Sequence, residues 1–323
     1  MRGLPPAPPA RGASLPRRLR RPLAEGELKR YGDLISDGGS GILEQIAEQR
    51  ERLKGSLAGV AHVIAVMSGK GGVGKSSVTV NLASALALGG QRVGIIDADI
   101  NGACIAKMTG VAGTTPVEAE TGILPVETAL GIKVMGIDLL MQDDGAPVLW
   151  AAPTQKDAFT WRGMMEVAAV REFVSDTVWG ELDILLIDLP PGTDRLPNLL
   201  DVLPTFSGAV IVTLPTQVSR LVVGRSIRMA TEVLGTPVIG LVENMSARVC
   251  SHCGEMDHLF PEGDVEKMAD DLGIPFLGSI PFDPNLAKAA DDGEVFLDQY
   301  PESDAADALA SISLQVLETL DLS

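Results

Sequence analysis

The sequence is poor in cysteine, with three in 323 residues. Three cannot build a disulfide framework, so the fold must rest on its apolar core, and a reducing, cytoplasmic setting is expected. Aromatic residues are scarce too, at 4%. The core is therefore left to aliphatic side chains, as in sheets buried on both faces. No apolar run reaches the length of a spanning helix, and no apolar signal-peptide core follows the N-terminus. Positive charge is in deficit, the net charge being −17. A chain this acidic suits nucleic acid poorly unless a local basic patch compensates. Residues 302–323 hold no Lys or Arg, whereas a helix lying on a membrane surface wants a basic face. Neither nucleic acid nor membrane is expected as a partner.

What is present divides the chain. Residues 1–22 carry six Arg, six Pro and no acid, a composition that cannot bury a core, so residues 1–40 are expected to be a disordered extension. An organelle-targeting peptide is the alternative for this Arg-rich start, but Ser is scarce and the prolines would break an amphipathic helix. Apolar residues at 42, 43, 46 and 53 predict a helix within 41–57. From residue 58 onward, strand-length apolar runs alternate with helical stretches: HVIAVMS, QRVGIIDAD, LDILLIDLPP, GAVIVTLPT, PVIGLVENMS and IPFLGSIP. Unbroken hydrophobicity in strands separated by helices implies right-handed crossovers and a parallel sheet. The expected fold class is α/β, a single domain over 58–323 with a mostly parallel sheet flanked by helices.

SGKGGVGKSS (68–77) follows the first strand and opens a helix. Gly69, Gly74, Lys75 and Ser76 satisfy G-x-x-x-x-G-K-[ST], the P-loop pattern. Its glycines let backbone N–H groups converge on phosphate oxygens, its lysine neutralises the β- and γ-phosphates, and its hydroxyl completes Mg²⁺ coordination. Residues Gly69, Lys70, Gly71, Gly72, Val73, Gly74, Lys75, Ser76 and Ser77 are the expected ATP cradle. Two acidic strand ends fit the same edge of the sheet: Asp97 and Asp99 in GIIDADING, and Asp188 in LLIDLPPGTD. Lys70 is redundant for charge within one subunit. Its position resembles the deviant Walker A of dimerising ATPases, in which this lysine reaches the partner's nucleotide; that resemblance implies a homodimer. Asp188 looks like the Walker B residue that holds Mg²⁺ through water, Asp99 like the switch I carboxylate facing the attacking water, and Gly192 like a backbone donor to the γ-phosphate.

GKGGVGKSSVTVNLA, DADINGACIAKMTG, WGELDILLIDLPPGTD, VIGLVENMSARVCSHCG and LGIPFLGSIPFDPNLAKAADDGE occur here in one order. In that order the chain resembles the Mrp/ApbC-type iron–sulfur cluster carrier ATPases, a branch of the MinD/ParA/nitrogenase iron protein superfamily, from about 58 to 305. The resemblance implies slow, regulatory ATP hydrolysis. It also implies a cluster-assembly scaffold as donor and apo iron–sulfur proteins as clients. Asn244 would contact adenine, with IPFDP (280–284) completing the base pocket. Cys250 and Cys253 would meet the same pair of a second subunit, so that four thiolates hold a bridging [4Fe–4S] cluster.

By itself the C-x-x-C supports other readings. Four cysteines at this spacing also suit structural Zn²⁺ in a zinc-stapled ATPase without cargo. His252 and His258 are near enough in sequence to complete a mononuclear site. SARVCSHCGEMDH reads as an irregular loop, which speaks against a redox pair at a helix start. A MinD/ParA-like positioning switch is the alternative from another functional class. The chain also departs from the family's pattern. Ala103-Cys104 replaces the usual Pro-Ser, Asp194 and Arg195 alter switch II, and residues 150–162 look inserted. Cys104 reads as a small buried residue, or as an extra redox-sensitive thiol.

Overall fold

The computed structural model describes residues 48, 51–141, 167–192, 195–200, 203, 206–249, 252–253, 255–260 and 264–322. The extension expected over 1–40, the insertion at 150–162, Asp194 and Cys250 lie outside them; of the helix expected over 41–57, residues 51–56 are described as helical.

Strand β1 (Val60–Ser68) leads through the P-loop into α1 (Lys75–Leu88), followed by β2 (Val93–Asp97) and the short α2 (Ile105–Met108). A small hairpin, β3 (Val117–Ala119) and β4 (Gly122–Leu124), precedes β5 (Val126–Glu127) and β6 (Lys133–Gly136). After a helical stretch over 167–176 come β7 (Leu182–Asp188), α3 (Arg195–Leu200), β8 (Gly208–Thr213) and α4 (Gln217–Arg228). The remainder is β9 (Val238–Asn244), β10 (Arg248–Val249), β11 (Met256–Asp257), α5 (Val265–Leu272) and β12 (Phe276–Ile280), then α6 (Pro284–Asp292), α7 (Phe296–Gln299) and α8 (Asp304–Thr319).

Eight strands form one sheet in the order β12-β9-β8-β1-β7-β2-β6-β5. Every neighbouring pair is parallel except β5–β6, the antiparallel edge. The continuous apolar runs follow from this sheet being covered on both faces. Along β1, Ile64 and Val66 enter the core beneath α1 and α8, while Val63, Ala65 and Met67 enter the core on the opposite face. Strand β7 divides the same way, Ile184 and Leu186 to one side, Leu185 and Ile187 to the other. All six strand runs read from the sequence are strands, β1 starting two residues earlier than its run and the other five trimmed at their ends; β6, only four residues long between glycine-rich flanks, was not among them.

The C-terminal helix α8 buries Ala305, Leu309, Ile312 and Val316 against α1 and β12, so its apolar face is committed to the core. Among the described residues no helix is long and apolar enough to cross a membrane.

Candidate functional site

Strands β1, β2, β7 and β9 all end on the same edge of the parallel sheet, where loops can converge on a ligand. The P-loop leaves β1 there and turns through Gly72 (φ 77°) and Gly74 (φ 81°), a left-handed backbone that glycine adopts without penalty. At Gly74 a side chain is also excluded by space, because a Cβ would run into the Asn244 amide. Gly74 is the N-cap of α1, and no side chain caps that helix. Its first N–H groups thus face the loop with the helix dipole behind them, which is how a helix start receives phosphate.

The residues that follow converge on Asp188, which is 0% exposed. Lys75 Nζ donates to its Oδ2 at 2.5 Å and Ser76 Oγ donates to the same oxygen at 2.7 Å. Thr79 Oγ1 donates to Oδ1 at 2.5 Å. One carboxylate is thus held by three donors from a single helix turn. A buried ion pair is tolerable only when its remaining hydrogen-bonding capacity is satisfied, and here it is. Thr79 carries no motif position, but its place four residues after Lys75 puts it on the same face of α1.

Asp97 is the residue whose importance the sequence conceals. It is fully buried and stands in register beside Asp188 on the neighbouring strand. Its Oδ1 accepts the Asp99 N–H at 3.0 Å, and its Oδ2 accepts those of Cys104 and Ile105 at 2.9 and 3.1 Å. One side chain therefore ties both ends of the loop that carries Asp99, which is itself half-buried. Burial, and secondarily the Asp188 charge, push the Asp97 carboxyl up to about 7. Folding then favours the protonated form, so this group's contribution to stability is complete below about pH 4 and is lost as pH rises through 7. In the absence of nucleotide and divalent cation, the thermal midpoint of the wild type should fall relative to that of Asp97→Asn between pH 5 and pH 8. A difference that stays constant with pH would exclude this linkage.

Other residues expected at the site are placed as follows. Lys70 is half-buried, and its backbone carbonyl accepts the Ser68 hydroxyl at 3.0 Å; its side chain has no ion pair among the described residues. The Gly192 N–H, expected to face a phosphate, instead donates to Ser68 O at 3.1 Å, while Pro191 packs beside Gly71. Pro191 and Gly192 are thus docked on the base of the P-loop. Asn244, expected beside adenine, donates from Nδ2 to Val73 O at 2.9 Å and so braces the P-loop from β9. The IPFDP segment lies next to it, with the Phe282 N–H donating to Ala247 O at 2.7 Å. Cys104 is half-buried. Burial, then the Asp97 charge, pushes its thiol up to about 11, partly opposed by a hydrogen bond with Ser76. It is therefore a neutral thiol at physiological pH, lacking the thiolate character of reactive cysteines.

Strands β10 and β11, which flank the C-x-x-C in sequence, pair antiparallel, Arg248 opposite Asp257 and Val249 opposite Met256; of the motif itself only His252 and Cys253 are described, in a turn. Residues this polar carry no clear two-residue periodicity, so such a short hairpin leaves no sequence signal. Cys253 and His252 are exposed, and the Cys253 thiol has a weak contact with Glu255 Oε2 at 3.8 Å. Among the described residues no three His, Cys, Asp or Glu converge as a metal site. His252, Cys253 and His258 therefore do not form one in the absence of Cys250.

Three comparisons bear on this arrangement. A family model described as ParA, NUBPL iron-transfer P-loop NTPase, matches residues 59–317. An iron-sulfur cluster carrier protein of Methanocaldococcus jannaschii is 47% identical over 249 residues, covering 77% of this chain and 82% of its own. The cytosolic Fe-S cluster assembly factor NUBP2 of Bos taurus is 41% identical over 268 residues, with 81% and 94% covered. Among solved structures, a nucleotide-binding protein from Archaeoglobus fulgidus in complex with ADP superimposes with a TM-score of 0.65 at 40% identity, covering 76% of this chain and 92% of its own. The cell division ATPase MinD of Pyrococcus furiosus, at 21% identity and a TM-score of 0.56, shares the fold. On the family model and these relatives, the chain belongs to the iron-transfer P-loop NTPase family.

Proposed function

We propose that the protein is a homodimeric, ATP-dependent iron–sulfur cluster carrier that receives a [4Fe–4S] cluster from an assembly scaffold and delivers it to apoproteins. The observation that carries the nucleotide half is the convergence of Lys75, Ser76 and Thr79 on the buried Asp188. That donor set fits Mg–ATP. The uncapped start of α1 and Lys75 suit the phosphates, and Ser76 with Asp188 suits an octahedral, oxygen-seeking cation. When bound, the cation would neutralise charge developing on the transferred phosphate.

The chain's own residues supply the remainder. Lys75 must leave Asp188 to meet a phosphate, and Ser76 must turn from that carboxylate toward the cation. Asp99, held at the end of β2 by Asp97, orients the attacking water. Gly192 must give up Ser68 O before its N–H can face a phosphate, so nucleotide binding and movement of switch II are one event, as in other nucleotide switches. Lys70 is left for the nucleotide of the second subunit.

The exposure of Cys253 suits the cargo half. One chain offers Cys250 and Cys253, and two chains offer four thiolates, a sufficient set for a cubane cluster. A positioning switch on a membrane gains no support, since α8 has no spare amphipathic face.

The test is transfer. Protein reconstituted without oxygen should restore activity to an apo [4Fe–4S] enzyme supplied with no other iron source. If free iron and sulfide at the same concentration activate that enzyme equally fast, carriage is not its function.

A further inference from the structure

Three donors hold the Asp188 carboxylate, and they are not equally free to leave it. Lys75 and Ser76 share Oδ2, and Mg–ATP claims both, the ammonium for a phosphate and the hydroxyl for the cation. Thr79 holds Oδ1 at 2.5 Å and belongs to no position of the P-loop motif. Its hydroxyl also lies 3.1 Å from Lys75 O, the usual back-bond of a threonine within a helix. A hydroxyl has one proton to give. The carboxylate is the nearer acceptor and the charged one, so the proton belongs to Oδ1.

Thr79 and Asp188 are each 0% exposed, so bulk water does not reach either to replace this donor. Once Lys75 and Ser76 have turned to the ligand, Thr79 is the one of the three still on the carboxylate. An aspartate carboxyl turns readily about its last torsion. With Oδ1 held by Thr79, Oδ2 keeps its direction toward the first turn of α1. Without that hold, the carboxylate is a buried anion free to rotate. Its orientation matters most to Mg²⁺, which demands near-ideal octahedral geometry, and least to Ca²⁺, whose coordination is larger and flexible.

We propose that Thr79 is a positioning residue for the divalent cation, acting through Asp188, and that it sets the preference for Mg²⁺ over Ca²⁺. The proposal rests on the Mg–ATP reading of the P-loop and is independent of cluster carriage. No contact between Thr79 and the nucleotide is needed. Its hydroxyl fixes the carboxylate that serves the cation, as the outer partners of metal ligands do.

Nucleotide affinity with and without cation separates this role from a purely structural one. Mant-AMPPNP, which is not hydrolysed, is titrated into the full chain in EDTA, in excess Mg²⁺ and in excess Ca²⁺. The readout is the ratio of the Kd in EDTA to the Kd with each cation. Thr79→Val, of nearly the same shape, should leave the affinity in EDTA unchanged. It should lower the Mg²⁺ ratio about tenfold, the lower end of the cost of losing an outer partner of a metal ligand, and the Ca²⁺ ratio much less. Thr79→Ser, which keeps the hydroxyl, should return both ratios toward wild type. Thr79→Ala is the second deletion, and unchanged affinity in EDTA shows that a variant is folded. An unchanged Mg²⁺ ratio, an equal fall with both cations, or a serine variant no better than valine would overturn the proposal. So would a loss as large in EDTA in both deletions, which would assign the hydroxyl to the fold. A wild type whose affinity ignores Mg²⁺ would overturn the Mg–ATP reading itself, and the proposal with it.

Discussion

Lys75→Ala should abolish detectable nucleotide binding and also destabilise the nucleotide-free protein by roughly 3 kcal/mol, the scale for removing one partner of a buried ion pair. Two separate causes are at work. The affinity loss follows from removing the only buried P-loop cation that can reach a phosphate. The stability loss follows from Asp188, which is 0% exposed and keeps only the Ser76 and Thr79 hydroxyls once the ammonium is gone. Pairing the substitution with Asp188→Asn separates the two. Without a charge at 188, the missing ammonium costs little, so the double variant should recover most of the stability and none of the nucleotide affinity. Chemical denaturation of the two single variants and the double variant, with mant-ADP titration of each, gives the full cycle. A double variant as unstable as the sum of the singles would mean that Lys75 and Asp188 do not act as a pair.

Cys250→Ser with Cys253→Ser should have the opposite profile: complete loss of iron and sulfide retention, with mant-ADP affinity and melting temperature close to wild type. Two-residue strands pair on either side of the motif in sequence, and Cys253 is exposed, so no core packing depends on the Cys253 side chain. Surface substitutions of this kind usually alter stability by about 0.5 kcal/mol or less. A thiol that served only to staple the fold through zinc would behave differently, because structural zinc contributes folding free energy directly and its loss lowers the melting temperature. The melting curve of the double serine variant therefore distinguishes cargo from staple, without reference to activity.

Much of this was legible because the decisive elements are local. A P-loop is specified by contiguous glycines, a lysine and a hydroxyl, and its strand and helix flank it directly; the runs that became β1, β7 and β8 were readable because both faces of the sheet are covered. The parts that were not legible depend on registers that only the folded chain supplies. Asp97 was visible as an acid at a strand end, but its role as a tie across the Asp99 loop requires β2 to lie beside β7 with Asp97 opposite Asp188. Thr79 falls outside the motif and gains its function from helical spacing. Gly192 and Asn244 were expected to face ligand, and in the structure both hold the P-loop region instead, through Ser68 and Val73. Sequence could name these as site residues but not say which protein groups they contact when no ligand competes.

The most direct test of the carrier function is iron and acid-labile sulfide content per chain, measured with the native mass of the same anaerobically reconstituted sample. Four irons and four sulfides in a dimer, with monomer mass and no bound iron in the Cys250→Ser, Cys253→Ser variant, is the expected result. A colourless protein holding one zinc, or a full complement of iron on a single chain, would contradict it.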